Sequence, residues 1–280
     1  KFCSFCVVPY TRGPEYSRNY NSIIDEVNSM VSNGAREIVL LGQNVNAYQF
    51  KNGNKIYRLS DLIDKLTTIK DLKRIRYTTS HPINMDDELI DLHSNNKKLM
   101  PFLHLPVQSG SSKILKMMNR KYDVEFYRDI IFKIRDKSPN IEISSDFIIG
   151  YPGESEQDFI NTLDLIDDIK FTQSYSFIYS ARPGTKSAMI EDNLTKKVKS
   201  ERLKILQSKL TEIQHDFNKT HVGKKTSVLI ENQSATNPEY YFGRTPYMQS
   251  VYIKSNNLIA GEEKDIKITS CNHKSLYGTC

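Results

Sequence analysis

The chain has 280 residues, 38% of them hydrophobic, with a net charge of +6 and a sequence pI near 8.9. That length suits one large domain plus a small one with a sizeable buried core, and the mild basic balance permits an anionic partner without demanding one. Four cysteines exclude a disulfide scaffold, and no membrane-length apolar run or signal peptide is visible, so the expectation is a soluble, cytoplasmic monomer with no membrane partner.

The first informative element is Cys3-Ser4-Phe5-Cys6. Two thiolates at this spacing can converge from one tight loop onto a metal or an iron-sulfur cluster. By spacing alone they are equally half a zinc site, a dithiol pair or two plain thiols. Ile23, Ile24, Val27, Met30 and Val31 then recur at helical spacing, with Gly34 as a stop. A strand Glu37–Leu41 follows, then a helix capped by Ser60, a strand Arg74–Thr79, a helix around Leu89–Leu92, and a strand Phe102–Val107. A helix centred on Ile130–Ile134, a strand Ile141–Ile149, a helix with Phe159, Leu163 and Ile166, and a strand Ser174–Tyr179 complete the series. Alternation of this kind predicts right-handed βαβ units, a parallel sheet and helices on its outside. In a parallel barrel the functional loops leave the C-terminal ends of strands, so a loop at Cys3 should follow a strand that this chain lacks.

Residues 195–221 read as an amphipathic basic helix linking two domains, with Lys196, Lys197, Lys199, Arg202, Lys204 and Lys209 among Leu203, Leu206, Leu210 and Ile213. Packing on the barrel and contact with nucleic acid are equally compatible with that pattern. Beyond Gly223 the texture becomes β, with strands expected at Ser227–Glu231, Tyr240–Gly243, Gln249–Ile253 and Lys264–Thr269. Such short strands suit a small barrel of the oligonucleotide-binding kind. Tyr240, Tyr241, Phe242, Arg244, Tyr247 and Tyr252 offer aromatics beside a guanidinium, as stacking on unpaired bases would use, although strand alternation consigns half of them to the core. Cys271, His273 and Cys280 match no common zinc spacing and read as incidental.

Polar residues gather after the strands: Gly42–Tyr48, Thr78–Pro82, Leu105–Ser111, Asp146–Glu154 and Tyr179–Thr185. All five segments belong on one rim of the barrel. Together with the run from Cys3 through Val7-Val8-Pro9-Tyr10-Thr11-Arg12-Gly13 to Arg18, they resemble the radical S-adenosylmethionine (SAM) methylthiotransferases, specifically the MiaB-type tRNA enzymes, over nearly the whole chain. The Val-Val-Pro-Tyr-Thr-Arg-Gly form favours that branch over the one acting on a ribosomal protein.

The resemblance implies an α/β fold: a partial (β/α)6 radical SAM barrel lacking its first strand (residues 1–194), the basic helix (195–221), and a small all-β TRAM RNA-binding domain (222–280). It makes Cys3 and Cys6 the second and third thiols of a Cys-x-x-x-Cys-x-aromatic-Cys motif, with Phe5 as the aromatic and the first cysteine two positions before Lys1. Three thiolates would leave one iron of a 4Fe-4S cluster open for S-adenosylmethionine, the source of a 5'-deoxyadenosyl radical. Phe5, Gln43, Asn44, Ile148 and Gly150 would contact that cofactor. Arg12, Glu15 and Arg18 would bind its carboxylate or a second cluster, or order the loop as ion pairs. Asp146 has no assigned role.

The implied reaction is methylthiolation of C2 of isopentenyladenosine beside the tRNA anticodon, with a second 4Fe-4S cluster, an electron donor and a sulfur source. With an N-terminal domain and one cysteine missing, the chain alone is expected neither to assemble a stable cluster nor to turn over. Two rivals stand beside this reading: methylthiolation of threonylcarbamoyladenosine in tRNA, and a non-catalytic RNA-binding protein.

Overall fold

The computed structural model describes residues 3–235 and 237–280. A short helix α1 (Val8–Arg12) has Pro9 in its first turn and ends at Gly13, whose φ of 76° only glycine adopts freely. Helix α2 (Tyr20–Ser32) is capped by Asn19, whose Oδ1 accepts the Ser22 N–H at 3.1 Å, and buries Val27 and Val31. Strand β1 (Glu37–Leu40) leads to a hairpin of β2 (Gln49–Asn52) and β3 (Lys55–Arg58), then α3 (Leu59–Thr67), β4 (Arg74–Tyr77) and α4 (Asp87–Asn95). Strand β5 (Phe102–His104), α5 (Ser112–Met117), α6 (Val124–Lys137), β6 (Glu142–Ile149), α7 (Glu156–Ile169) and β7 (Gln173–Ile178) follow.

Strands β1 and β4 pair in parallel, as do β5, β6 and β7. The two sets are joined through an isolated bridge between Ile75 and Leu99, giving the wall order β1-β4-β5-β6-β7. On its outer side the wall meets the helices. Ile75, Leu103, Ile143, Phe147 and Ile149 pack in one core with Leu62, Ile63 and Leu66 of α3, Tyr127, Ile131 and Ile134 of α6, and Leu165, Ile166 and Ile169 of α7. Strand alternation turns Ser144, Asp146 and Ile148 of β6 to the inner side.

The 24-residue helix α8 (Lys196–Lys219) connects to β8 (Lys225–Gln233), β9 (Tyr240–Arg244), β10 (Ser250–Lys254), β11 (Glu263–Cys271) and β12 (Ser275–Thr279). These five close into a barrel in the order β10-β12-β11-β8-β9 around Val228, Ile230, Val251, Ile253, Ile266, Ile268 and Leu276. Closure needs Gly243, where a Cβ would lie 2.5 Å from the Leu229 carbonyl oxygen. The barrel docks on β4. Arg74 donates to Glu263 Oε1 (2.6 and 2.9 Å) and to the Arg244 carbonyl (2.8 Å), while Arg76 donates to the carbonyls of Thr245 (3.0 Å) and Pro246 (2.8 Å) and pairs with Glu37 (3.0 Å).

Several expectations need correction. Ser60 does not cap α3: the helix starts at Leu59, and Asp61 Oδ2 accepts the Arg58 N–H at 2.7 Å. The expected strand Phe102–Val107 is regular only to His104, because Pro106 has no N–H to continue the ladder. The β2–β3 hairpin interrupts strict strand–helix alternation, although Gly53-Asn54, with Gly53 at φ 59°, is a recognisable two-residue hairpin loop. The small barrel has a fifth strand, β12, beyond the four expected. Finally, much of the basic character of α8 is spent internally: Lys199 and Arg202 are buried, Lys199 pairs with Asp192, Arg202 pairs with Glu154 and Glu156 (both 2.7 Å), and Lys209 pairs with Asp167 (2.5 Å).

Candidate functional site

Cys3 and Cys6 occupy one tight turn, closed by the Cys6 N–H donating to the Cys3 carbonyl at 3.1 Å. Ser4, the first of the two residues between them, holds the turn in place. The Ser4 N–H donates to the Met118 carbonyl (3.0 Å), its carbonyl accepts the Ser187 N–H (3.0 Å), and its hydroxyl reaches the Met117 carbonyl (2.8 Å) and the Tyr151 hydroxyl (2.9 Å). Tyr151, fully buried, also meets Ser187 Oγ at 2.6 Å. Phe5, like Ile148, packs against the buried cluster of Ile114, Met118, Tyr151 and Tyr179, so the cysteine turn sits at the C-terminal end of β6.

The turn faces a cleft of about 1090 Å³ at the C-terminal ends of the parallel strands. Its walls include Gln43 and Asn44 after β1, Thr79 to His81 after β4, Pro106 and Gln108 after β5, and Asp146 within β6. Thr79 (φ 68°) and Gln108 (φ 80°) hold left-handed backbone, which is costly for a β-branched residue and marks strain concentrated at the rim. Gln108 is fixed there because its N–H donates to the Asp146 carbonyl (3.0 Å) while its own carbonyl accepts the Ile148 N–H (2.9 Å).

Arg120, which sequence reasoning did not single out, lines the same cleft. It donates to Cys3 Sγ at 3.6 Å and to the Pro106 carbonyl at 2.7 Å, and lies over the Tyr122 ring at 5.4 Å. Its only sequence signal was a lone arginine after a short helix. Burial pushes the Tyr122 phenol up to about 12, against the opposing pull of Arg120, so it stays protonated and donates to the Val107 carbonyl at 3.1 Å. Among the described residues, buried Glu37 Oε2 has no hydrogen bond but sits in the Arg76 ion pair, and three further buried polar atoms of cleft residues have no hydrogen-bond partner: Asn44 Oδ1, Ser80 Oγ and Arg120 Nε. Together they offer a ligand one acceptor, one N–H and one hydroxyl.

Of the residues singled out from sequence, the cleft brings together Cys3, Phe5, Cys6, Arg12, Glu15, Arg18, Gln43 and Asn44. Arg18 pairs with Glu26 at 2.6 Å on the surface. Ile148 packs against the same buried cluster as Phe5 and lies off the cleft wall. Gly150 stands apart from the cleft lining, facing α8: its N–H donates to Glu154 Oε1 at 3.1 Å, and a Cβ there would come within 2.6 Å of the Lys199 side chain.

On the small barrel, Phe242, Tyr252 and Tyr277 stand opposite one another across β9, β10 and β12, with centroid distances of 5.5 and 5.7 Å and Arg244 over Phe242 at 5.2 Å. Tyr241 packs on the barrel core and Tyr247 turns inward against Phe217 and His221 of the helix segment. Tyr277 was missed because β12 was.

Residues 1–166 match the family model of the Radical SAM superfamily, and residues 219–280 match that of the TRAM domain. Among curated proteins, the chain is similar to the tRNA-2-methylthio-N(6)-dimethylallyladenosine synthases of Rickettsia canadensis (54% identity) and Rickettsia felis (53% identity), over 99% of this chain. The chain spans 63% of the length of those relatives. Among solved structures it resembles the radical SAM enzyme coproporphyrinogen III oxidase from Escherichia coli (TM-score 0.53, 13% identity, 88% of this chain and 64% of that one). It also resembles a radical S-adenosylmethionine methyltransferase from Kitasatospora setae (TM-score 0.53, 18% identity, 67% of this chain and 36% of that one). At these identities the structural likeness speaks to the fold. The cysteine turn at the strand ends of a parallel α/β wall and the match over residues 1–166 lead to one assignment: the chain belongs to the radical SAM superfamily.

Proposed function

We propose that this chain carries the radical-generating and RNA-binding portions of a tRNA-2-methylthio-N6-dimethylallyladenosine synthase, which methylthiolates C2 of isopentenyladenosine beside the anticodon. The observation that carries the reading is the convergence of Cys3 and Cys6 on one cleft in a chain 54% identical to a synthase of that name. The cleft fits the cofactors of the superfamily. Its two soft thiols sit on one anchored turn, and its orphaned polar atoms at Asn44, Ser80 and Arg120 await partners.

Among the described residues no group of three His, Cys, Asp or Glu side chains is placed to hold a metal ion, so Cys3 and Cys6 are the ligands this part of the chain offers a 4Fe-4S cluster. When bound, the cluster and S-adenosylmethionine supply the radical that removes hydrogen from the substrate carbon. The protein's own share is positional. Ser4 and Tyr151 fix the cysteine turn, Arg120 sets a cation against Cys3, and Phe5, Gln43 and Asn44 border the space for the nucleoside cofactor. Arg12, Glu15 and Arg18 border its outer end, while Ile148 and Gly150 support the wall from beneath and behind.

The division at 1–194, 195–221 and 222–280 assigns radical chemistry to the first unit and tRNA contact to the last. There Phe242, Tyr252 and Tyr277 form a stacking row beside Arg244. An electron donor, a sulfur source and a second 4Fe-4S cluster complete the reaction in a cytoplasmic monomer. Mass spectrometry of tRNA nucleosides from cells lacking the full-length gene tests the proposal. Loss of the methylthio group from isopentenyladenosine is expected, whereas its loss from threonylcarbamoyladenosine, or from neither, overturns the assignment.

A further inference from the structure

Asp146 is the charged residue of the cleft wall whose role the cofactors leave open. It stands on the inner face of β6 and lines the same cleft as Cys3, Phe5 and Cys6. A group bound in that cleft therefore has this carboxylate in its wall. Asp146 is backed from one side only: Oδ2 lies 3.6 Å from His104 Nε2, and the side chain keeps 30% of its exposure toward the cleft. His104 is in turn held by Ser144 Oγ at 2.9 Å from Nδ1 and by the edge of Tyr175, with ring centroids 6.4 Å apart.

A carboxylate with an imidazole 3.6 Å away and acceptor capacity left over at the wall of a cleft is a receptor for an N–H donor. Its neighbours on the inner face suit a flat heterocycle: the exposed rings of Tyr175 and Phe177 stand opposite Asp146 and Ile148 on the adjoining strand β7.

We infer that Asp146, positioned by His104, accepts the exocyclic N6–H of an adenine bearing one N6 substituent, and so selects such bases for the cleft. The inference rests on the tRNA reading above and adds the specificity determinant to it. A base with two N6 substituents has no hydrogen to donate and would leave a desolvated carboxylate unpaired, which is how a polar site rejects a near-isostere.

The test compares binding of two anticodon stem-loop RNAs to the full-length protein without reductant, by fluorescence anisotropy. One carries N6-dimethylallyladenosine and the other the N6-methyl-N6-dimethylallyl analogue. The wild type should bind the first at least about tenfold more tightly, the value of a hydrogen bond to a charged group. Asp146→Ala should erase the difference, and isosteric Asp146→Asn, which retains a neutral acceptor, should leave only a few-fold preference. His104→Gln should shrink the preference, with the melting temperature of each variant confirming that it folds. Equal binding of both RNAs by the wild type, or full discrimination by Asp146→Ala, overturns the inference while the tRNA reading stands. Failure to bind either RNA overturns both.

Discussion

Replacing Arg74 with leucine should uncouple the small barrel from the α/β wall. The guanidinium is 1% exposed, donates twice to Glu263 Oε1, and satisfies the Arg244 carbonyl at 2.8 Å. Removing one partner of a buried pair costs about 3–5 kcal/mol. Glu263 retains 36% of its side-chain exposure and can recover some water, which lowers the expectation to about 2–4 kcal/mol. At about 2–4 °C per kcal/mol for a chain of this size, the melting temperature should fall by roughly 4–16 °C. Differential scanning calorimetry measures the shift, and limited proteolysis should cut faster near residues 220–225, where α8 enters the barrel.

The acid limb gives an independent check. Desolvation pushes the Glu263 carboxyl up, but hydrogen bonds from Arg74 and Ser227 and the positive charges of Arg74 and Lys73 outweigh it, and the carboxyl lies below its usual value. Its stabilisation is therefore complete above the ordinary glutamate range and is lost as pH falls through the lower folded value. Arg74→Leu should flatten that acid dependence. A melting shift under about 1 °C with unchanged proteolysis would refute the view that this arginine holds the interface.

Two further outcomes follow from buried groups. Burial holds His93 at a pKa of about 4, with its Nε2 2.6 Å from the Tyr77 hydroxyl and its Nδ1 unpaired. Because the unfolded chain takes up this proton first, stability should decline as pH falls from about 6.5 to about 4, by up to about 3 kcal/mol. His93→Phe should remove that slope in urea titrations, and Tyr77→Phe should cost about 1–3 kcal/mol at neutral pH by orphaning the imidazole. Tyr151→Phe deletes the hydroxyl shared by Ser4 and Ser187 and should loosen the cysteine turn by about 1–2 kcal/mol. Iron release to a chelator from the reconstituted full-length protein should accelerate several-fold, and an unchanged rate would show that the turn is held without it.

Much of the site was legible before the fold was known, because its chemistry lies in short local patterns. Cys3 and Cys6, Gln43 and Asn44 are each fixed by a few adjacent residues, and the cleft gathers all four. Arg120 and His104 were not legible. The first acquires meaning only from the Cys3 sulfur 117 positions away, and the second from Asp146 across a strand pair. Gly150 reads in sequence like a rim residue, yet its hydrogen atom is needed for the close approach of Lys199 from α8.

The sequence by itself determined the alternation of strands and helices, the change to β texture after Gly223 and the cysteine turn, since each rests on spacing within about ten residues. Only the tertiary structure decided where charge is spent. Lys199 and Arg202 belong to a helix that reads in sequence as compatible with nucleic-acid contact, yet both, like Arg74 and Arg76 of β4, are buried and committed to protein partners. Spacing shows that a residue is basic and which way a helix face turns. It does not show which carboxylate or carbonyl comes to meet that residue from an element far along the chain, and that meeting decides whether a charge braces the fold or remains at the surface.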